Sequence, residues 1–238
     1  MELEGKVAII TGASGGIGKA IAHSLDEAGM KLILTARSPD KLDKLASSLQ
    51  QAKAVAGEVT APELPSQLMD KALQAFNRVD VVINSAGVMN VGKIEEVDIE
   101  KMCQMVRLNV EALYRMSYVA LKHFKQVGSG FVVNLSSIAG LKTSAQYGAY
   151  SGTKFAVEAF TDSLRMELAG TNIGIACIEP GTVDTGLYDN WNEDRKDAIS
   201  AGGMLQPEDV ARYVRFVIEQ PPHIIIPRLL VVPSSQPV

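Results

Sequence analysis

Apolar positions along this chain follow two rhythms. Short runs rich in Val and Ile alternate with longer segments in which apolar residues return every three or four positions. The first rhythm fits strands buried on both faces, and the second fits helices with one covered stripe. The runs predict strands over 6–11, 31–36, 52–57, 79–84, 130–135, 174–178 and 223–232. The periodic segments predict helices over 16–28, 39–50, 64–76, 99–126, 149–168 and 207–219. Strand and helix in strict alternation make repeated βαβ units, so an α/β chain is expected, with a doubly wound parallel sheet of about seven strands and helices on both faces. Ser38-Pro39 reads as an N-cap followed by proline in the first turn, and Gly29 follows the last apolar residue of the first helix. The rhythm breaks over 184–206, where Gly186, Trp191, a charged cluster and Gly202-Gly203 suggest a loop or lid. Residues 233–238 are expected to fray. With 238 residues, 47% of them hydrophobic, and no linker or repeat, a single undivided domain is expected over 1–238.

Charge narrows the choice of partner. The 23 basic and 27 acidic residues are spread along the chain for a net charge of -4, with no basic block dense enough to track a phosphate backbone. Nucleic acid is therefore not an expected partner. Cys103 and Cys177 each stand in an apolar stretch, which suits reduced thiols packed in a core better than a disulfide framework or a metal site. Residues 1–6 are polar and lack the pattern of a secretory signal. No apolar run approaches the roughly 18 to 20 residues that span a bilayer. A cytoplasmic protein without a metal or a membrane partner follows as the expectation.

Two stretches carry chemistry. The first strand runs into Thr11-Gly12-Ala13-Ser14-Gly15-Gly16-Ile17-Gly18, directly followed by helical periodicity. A dinucleotide pyrophosphate needs main-chain N–H groups and a helix N-terminus at close range, and glycine where a Cβ would collide. Gly12, Gly16 and Gly18 meet that need; an ordinary glycine-rich turn is the plainer alternative. The second strand ends Leu34-Thr35-Ala36-Arg37. An acid that would hold free ribose hydroxyls is missing, and Arg37 offers a fork suited to a 2′-phosphate, so NADP(H) is favoured over NAD(H). A solvated surface arginine is the competing reading.

Tyr150 and Lys154 lie four apart in a helical segment and so share a face. A phenol of ordinary pKa about 10 is a weak base, and an ammonium nearby favours the phenolate. Such a pair can exchange a proton with an alcohol or carbonyl. The spacing alone is common and usually structural. Upstream, the fifth strand ends in Asn134-Leu135-Ser136-Ser137, where a hydroxyl can share charge on a substrate oxygen. Asn109 is a polar residue within a long helix, where its side chain competes with main-chain hydrogen bonding.

In this order the residues resemble the short-chain dehydrogenase/reductase family, whose members have a Rossmann fold. The likeness covers the glycine turn at 11–18, the strand end Asn84-Ser85-Ala86-Gly87, Asn109, Tyr150 with Lys154, and Pro180-Gly181-Thr182-Val183-Asp184-Thr185. It implies a catalytic tetrad of Asn109, Ser137, Tyr150 and Lys154, with Ser137 chosen because the family's serine stands 13 positions before its tyrosine. Lys154 would also hold the nicotinamide ribose, Asn109 would anchor a relay water, and Val183 and Thr185 would hold the carboxamide. The cofactor would lie along Gly12, Ser14, Gly16, Ile17, Gly18, Arg37, Glu58, Val59, Asn84, Ala86, Gly87, Tyr150, Lys154, Pro180, Gly181, Val183 and Thr185. Ser85 and Glu58 depart from the family pattern, which has asparagine and aspartate there.

The resemblance implies interconversion of a small carbonyl (an aldehyde, ketone or 3-oxo acid) and its alcohol, by a homodimer or homotetramer built through the helices of Asn109 and Tyr150. Residues 224–233 are similar to members acting on aldehydes and 3-oxo acids. Two alternatives stay open. One is a 3-oxoacyl-carrier-protein reductase, for which Lys101, Arg107 and Arg115 would form a basic patch; the other is a non-catalytic NADP-binding sensor. Substrate choice would rest on Tyr147, Leu187, Tyr188 and Trp191.

Overall fold

The computed structural model describes residues 1–188 and 203–237. In chain order the strands are β1 (Val7–Thr11), β2 (Lys31–Ala36), β3 (Ala52–Ala56), β4 (Val81–Asn84), β5 (Gly130–Leu135), β6 (Ile173–Pro180) and β7 (Arg228–Val231). The helices are α1 (Gly16–Glu27), α2 (Pro39–Ser47), α3 (Leu64–Phe76), α4 (Ile99–Val106), α5 (Leu113–Val127), α6 (Gly148–Glu167) and α7 (Pro207–Glu219). The strands form one parallel sheet in the order β3-β2-β1-β4-β5-β6-β7.

Alternation of side chains along each strand builds two cores. Ala8, Ile10, Leu32 and Leu34 face α1, α2 and α7, and Leu25 and Val214 lie in that layer. Val7, Ile9 and Ile33 face the other way, toward α3, α5 and α6, where Leu68, Phe124 and Leu164 cover them. β1 and β6 are buried at every position because helices cover both faces, which is why they read as unbroken apolar runs.

Three expectations need correction. The predicted helix 99–126 is not one regular helix: α4 and α5 are joined by a wider π-type turn, Arg107–Ala112, and Asn109 sits inside it. Cys177 is buried, but Cys103 is exposed. The reason is that α4 lies at the periphery, with Met105 its buried residue while Ile99 and Val106 stand open to solvent. Ser38 does occupy the N-cap position of α2 with Pro39 in its first turn, as expected, though its side chain makes no capping bond. Residues 233–237 do not fray, for they fold back on the C-terminal edge of the sheet; Thr182 N–H donates to Gln236 Oε1 at 2.9 Å and Lys142 Nζ to Pro237 O at 2.9 Å. The last strand is shorter than the predicted 223–232 and the sixth is longer than 174–178. Of the expected lid, 189–202 lie outside the described residues, Trp191 among them.

At the opposite sheet edge, Asp80 ties the starts of β1 and β4 together. Its Oδ2 accepts from Val7 N–H at 2.9 Å and from Arg78 Nε at 2.8 Å, its Oδ1 accepts from Arg78 Nη2 at 2.6 Å, and Lys6 Nζ lies 3.4 Å away. Burial pushes the Asp80 carboxyl up, but the Arg78 and Val7 bonds and the Lys6 charge outweigh it and hold its pKa below the ordinary value. A carboxyl lowered on folding stabilises above its unfolded pKa, and that contribution fades as pH falls through the folded one. Asp80→Asn is expected to lower unfolding free energy by about 1.5–3 kcal/mol at neutral pH, and the gap to the unaltered protein should close in strong acid. Urea melts across pH check both.

Candidate functional site

The strand order reverses between β1 and β4, and the chain leaves those two strands in opposite directions, opening a crevice at their C-terminal ends. Gly12 and Ala86 line it from either side. Gly12 has a φ of +67°, and a Cβ there would meet Ala86 Cα at 2.7 Å and Ala86 N at 2.8 Å. At Gly18 a Cβ would collide with Gly12 O, so the first turn of α1 can close onto the loop only as glycine. Thr11 Oγ1 fastens the crossing by accepting from Ser85 N–H and Ala86 N–H, each at 3.2 Å. The N-terminus of α1 has no side-chain cap and no acidic residue in its first turn. Its free N–H groups and dipole end therefore face the crevice uncompensated, which suits an anion. Ser14 and Ile17 are half-buried in this turn. A dinucleotide pyrophosphate fits the cradle that these glycines leave open.

Arg37 stands exposed just past β2, with no ion-pair partner among the described residues, while Ala36 ends the strand buried. Past β3, Glu58 is exposed and Val59 half-buried. Val59 shares a small cavity with Thr11, Leu64, Ala86 and Leu108 between the C-terminal ends of β1 and β4 and the neighbouring helices. Asn84 uses its side chain inside the core. Its amide donates to Ser117 Oγ at 2.9 Å and Asn134 Oδ1 at 2.8 Å, so both donors are used.

The proton-transfer candidates gather on the other side of the crevice. Tyr150 and Lys154, in the first two turns of α6, are both buried, and Lys154 Nζ lies 5.9 Å from the centre of the Tyr150 ring. Lys154 Nζ donates to Leu135 O at 2.9 Å, which anchors it at the end of β5. Burial lowers the lysine pKa to about 8, and the nearby Cys177 and Glu158 partly oppose that fall. Ser137, just past β5, accepts from Ala139 N–H at 3.1 Å, which leaves its own hydroxyl proton to donate elsewhere. Asn109 ties the loop after β4 to α6: Oδ1 accepts from Val88 N–H at 2.9 Å, and Nδ2 donates to Val88 O at 2.9 Å and Thr153 Oγ1 at 3.1 Å. Gly87 lies between them, since a Cβ there would stand 3.7 Å from Asn109 Oδ1 and 3.9 Å from Lys154 Nζ.

A protein-family model described as short chain dehydrogenase matches residues 6–196. The chain belongs to the short-chain dehydrogenase family. An oxidoreductase of Staphylococcus haemolyticus is 38% identical over 234 residues, covering 98% of this chain and 99% of that one. Another, from Staphylococcus aureus strain N315, is 37% identical over 234 residues, covering 97% and 98%. Among solved structures, the closed form of a serine dehydrogenase complexed with NADP+ superposes with a TM-score of 0.92 at 25% identity, covering 98% of this chain and 96% of that one. An alcohol dehydrogenase from Thermococcus sibiricus complexed with 5-hydroxy-NADP gives 0.87 at 29% identity, covering 98% of both. A short-chain dehydrogenase/reductase from Burkholderia phymatum in complex with NAD gives 0.86 at 28%, covering 98% and 90%. The fold is the family's Rossmann-like sheet, and the chain is an oxidoreductase of that family.

In this short-chain dehydrogenase the segment after β6 completes the crevice. Pro180 and Val183 are buried, and Val183 bridges to Leu205. Thr185 Oγ1 accepts from Leu187 N–H at 3.3 Å, while its methyl group leans over the first turn of α1, 2.9 Å from where a Gly16 Cβ would be. At Gly181 a Cβ would collide with the Gln236 amide. Gln236 and Thr153 are the participants that sequence reasoning missed. Thr153 had a visible signal, a hydroxyl within Tyr150-Ser151-Gly152-Thr153-Lys154 on the face of Tyr150. Gln236 had none, since only the folded chain brings it to residue 182. Gly12→Ala is expected to lower unfolding free energy by at least about 2 kcal/mol, from left-handed backbone strain and the clash with Ala86. Gly148→Ala, with nothing within 4 Å of the new methyl, should be neutral or slightly stabilising. Chemical denaturation of the two variants side by side checks the contrast.

Proposed function

We propose that this chain is an NADP(H)-dependent oxidoreductase interconverting a small carbonyl (an aldehyde, ketone or 3-oxo acid) and its alcohol, with Tyr150 as acid and base. The observation that carries the reading is that Lys154, 5.9 Å from the Tyr150 ring, is anchored on Leu135 O at the strand end from which Ser137 follows, at the same sheet edge as the uncapped N-terminus of α1. The residues in named roles are Asn109, Ser137, Tyr150 and Lys154. The dinucleotide, when bound, supplies or takes up the hydride. Ser137 donates its hydroxyl proton to the substrate oxygen while its own oxygen accepts from Ala139 N–H, which sets its orientation. Tyr150 gives that oxygen a proton in reduction and removes one in oxidation. Lys154 has two ammonium protons left beyond the one bound to Leu135 O, and these would hold the cofactor ribose. The side-chain amide of Asn109 is spent on Val88 and Thr153, so it acts by fixing the widened turn, and any relay water hangs on main-chain groups of that turn.

NADP(H) is favoured by the free guanidinium of Arg37 beside the acid-free end of β2. Two solved relatives are described with NADP forms and a third with NAD, so cofactor choice within the family follows local residues. The remaining contacts assigned to the cofactor are those of Gly12, Ser14, Gly16, Ile17, Gly18, Glu58, Val59, the main chain of Asn84, Ala86 and Gly87, Pro180, Gly181, Val183 and Thr185. We read residues 1–238 as one catalytic unit with a lid over 184–206, acting as a homodimer or homotetramer. Two unpaired cysteines and the lack of a membrane-crossing helix among the described residues favour the cytoplasm. Of the basic patch that the carrier-protein alternative needs, Arg115 is paired with Glu111 at 2.7 Å and Lys101 has Asp98 within 4.0 Å, while Arg107 is exposed with no ion-pair partner among the described residues.

NADPH-oxidation assays over aldehydes, ketones, 3-oxo acids and acyl thioesters, with NADH as control, test the reading. Tyr150→Phe is expected to lower kcat by at least about 100-fold while nucleotide binding, followed by fluorescence, is retained. Arg37→Ala should raise KM for NADPH by about 10- to 100-fold and leave that for NADH unchanged. Equal performance of NADH and NADPH in the unaltered enzyme would sink the assignment of Arg37. Because the Lys154 ammonium persists below its pKa of about 8 and is lost above it, kcat/KM should fall as pH rises past about 8.

A further inference from the structure

Behind Lys154 lies a second cluster that the chemistry above does not use. Glu158 stands one turn further along α6, on the face of Lys154; Glu179 comes from β6 and Arg228 from β7. Both carboxyls are buried, with 4% and 2% of their residues exposed. Arg228 Nε reaches within 3.5 Å of Glu158 Oε2, but its own side chain is half-exposed. Among the described residues no donor lies in hydrogen-bonding geometry with Glu158 Oε1, Glu158 Oε2 or Glu179 Oε1, and the group standing against Glu158 is the weakly donating Cys177 thiol. Glu158 and Glu179 lie against each other where α6 packs on β6, with Lys154 and Cys177 beside Glu158. Two carboxylates are both acceptors and repel in a poorly solvated site, whereas one proton between them supplies the missing hydrogen bond and halves the charge.

We infer that Glu158 and Glu179 share one proton as a buried carboxyl pair, and that the single charge they keep holds Lys154 as an ammonium, making both glutamates positioning residues for it. Burial and the neighbouring Glu158 push the Glu179 carboxyl up to about 7, with Arg228 opposing. The other groups facing the pair are Lys154 on α6 and Cys177 on β6, whose thiol burial raises and so keeps neutral. Gly140 keeps the approach open: a Cβ there would stand 2.8 Å from Ser136 Oγ and 3.1 Å from Glu158 Cγ. Of the two carboxyls, Glu158 is the one whose charge raises the Lys154 pKa. The substitutions therefore act in opposite directions. Glu158→Gln moves the remaining charge to Glu179, away from the lysine, and the ammonium is lost at lower pH. Glu179→Gln leaves the single charge of the pair on Glu158, one helical turn from the lysine, and the ammonium survives to higher pH.

The consequence for turnover rests on the role given to Lys154 above, so the deciding measurements do not need turnover. Infrared spectra of the full chain in D2O near pH 6 should contain a protonated-carboxyl band that disappears in Glu158→Gln and in Glu179→Gln. Titration of lysine labelled with 13C at Cε, with Lys154 identified by loss of its signal in Lys154→Met, should give a midpoint about 1 pH unit lower in Glu158→Gln and higher in Glu179→Gln. Absence of the band from the unaltered protein overturns the pair even if a variant fails to fold. Movement of both midpoints in one direction, or of neither, overturns the link to Lys154. If the chain reduces no carbonyl yet the band and the opposite shifts appear, the proposed activity fails and the carboxyl pair stands. With activity present, the alkaline limb of kcat/KM should move with the lysine midpoint in each variant.

Discussion

Where β1 and β4 diverge, the main chain at Gly12 passes so close to Ala86 that any side chain would stand inside van der Waals contact with the neighbouring backbone. That approach sets the rest of the site. It lets Thr11 Oγ1 reach both Ser85 N–H and Ala86 N–H, which locks the ends of the two strands side by side. It also brings the loop after β4 under α6, so that Gly87 lies against Asn109 and Lys154. The nucleotide cradle and the proton-transfer group are thus two sides of one crossing. Loosening the crossing would move both.

The second side depends on burying a cation. Lys154 would lose solvation by this placement, and among the described residues the carbonyl Leu135 O is its hydrogen-bond partner. Burial alone favours the neutral amine, whereas the proposed chemistry needs the ammonium. The nearest available compensation is negative charge one helical turn away, at Glu158. Polar side chains brace α6 at two places: Asn109 donates to Thr153, and Asn84 donates to Ser117 and to Asn134, which in turn donates to Thr161. These buried bonds fix side-chain positions in a way that apolar packing would not.

Strand and helix periodicity made the sheet legible, because β1, β2, β5 and β6 are apolar on both faces and the flanking helices show one covered stripe. The same local rule explains the misses. Periodicity cannot tell a regular turn from the wider one at Arg107–Ala112, since one extra residue leaves the apolar stripe nearly in phase. It assigned Cys103 to a core that α4, lying at the rim, does not have. The glycines and Tyr150 with Lys154 were visible because their chemistry is close in sequence. Gln236 against Thr182, and Glu179 against Glu158, are contacts of distant residues, and neither partner has a local pattern that points to the other.

The edge of the sheet adds a last constraint. β7 pairs in parallel with the end of β6 and brings Arg228 level with Cys177 and Leu230 level with Glu179. The guanidinium therefore enters beside the carboxyls from the sheet's exposed margin and stays half in solvent, where its charge is screened. A cation buried fully at that point would draw both glutamates into their ionised forms and weaken the competition that keeps a proton between them. Placed at the rim, Arg228 steadies the pair without neutralising it, and the charge left over lies on the side where Lys154 needs it.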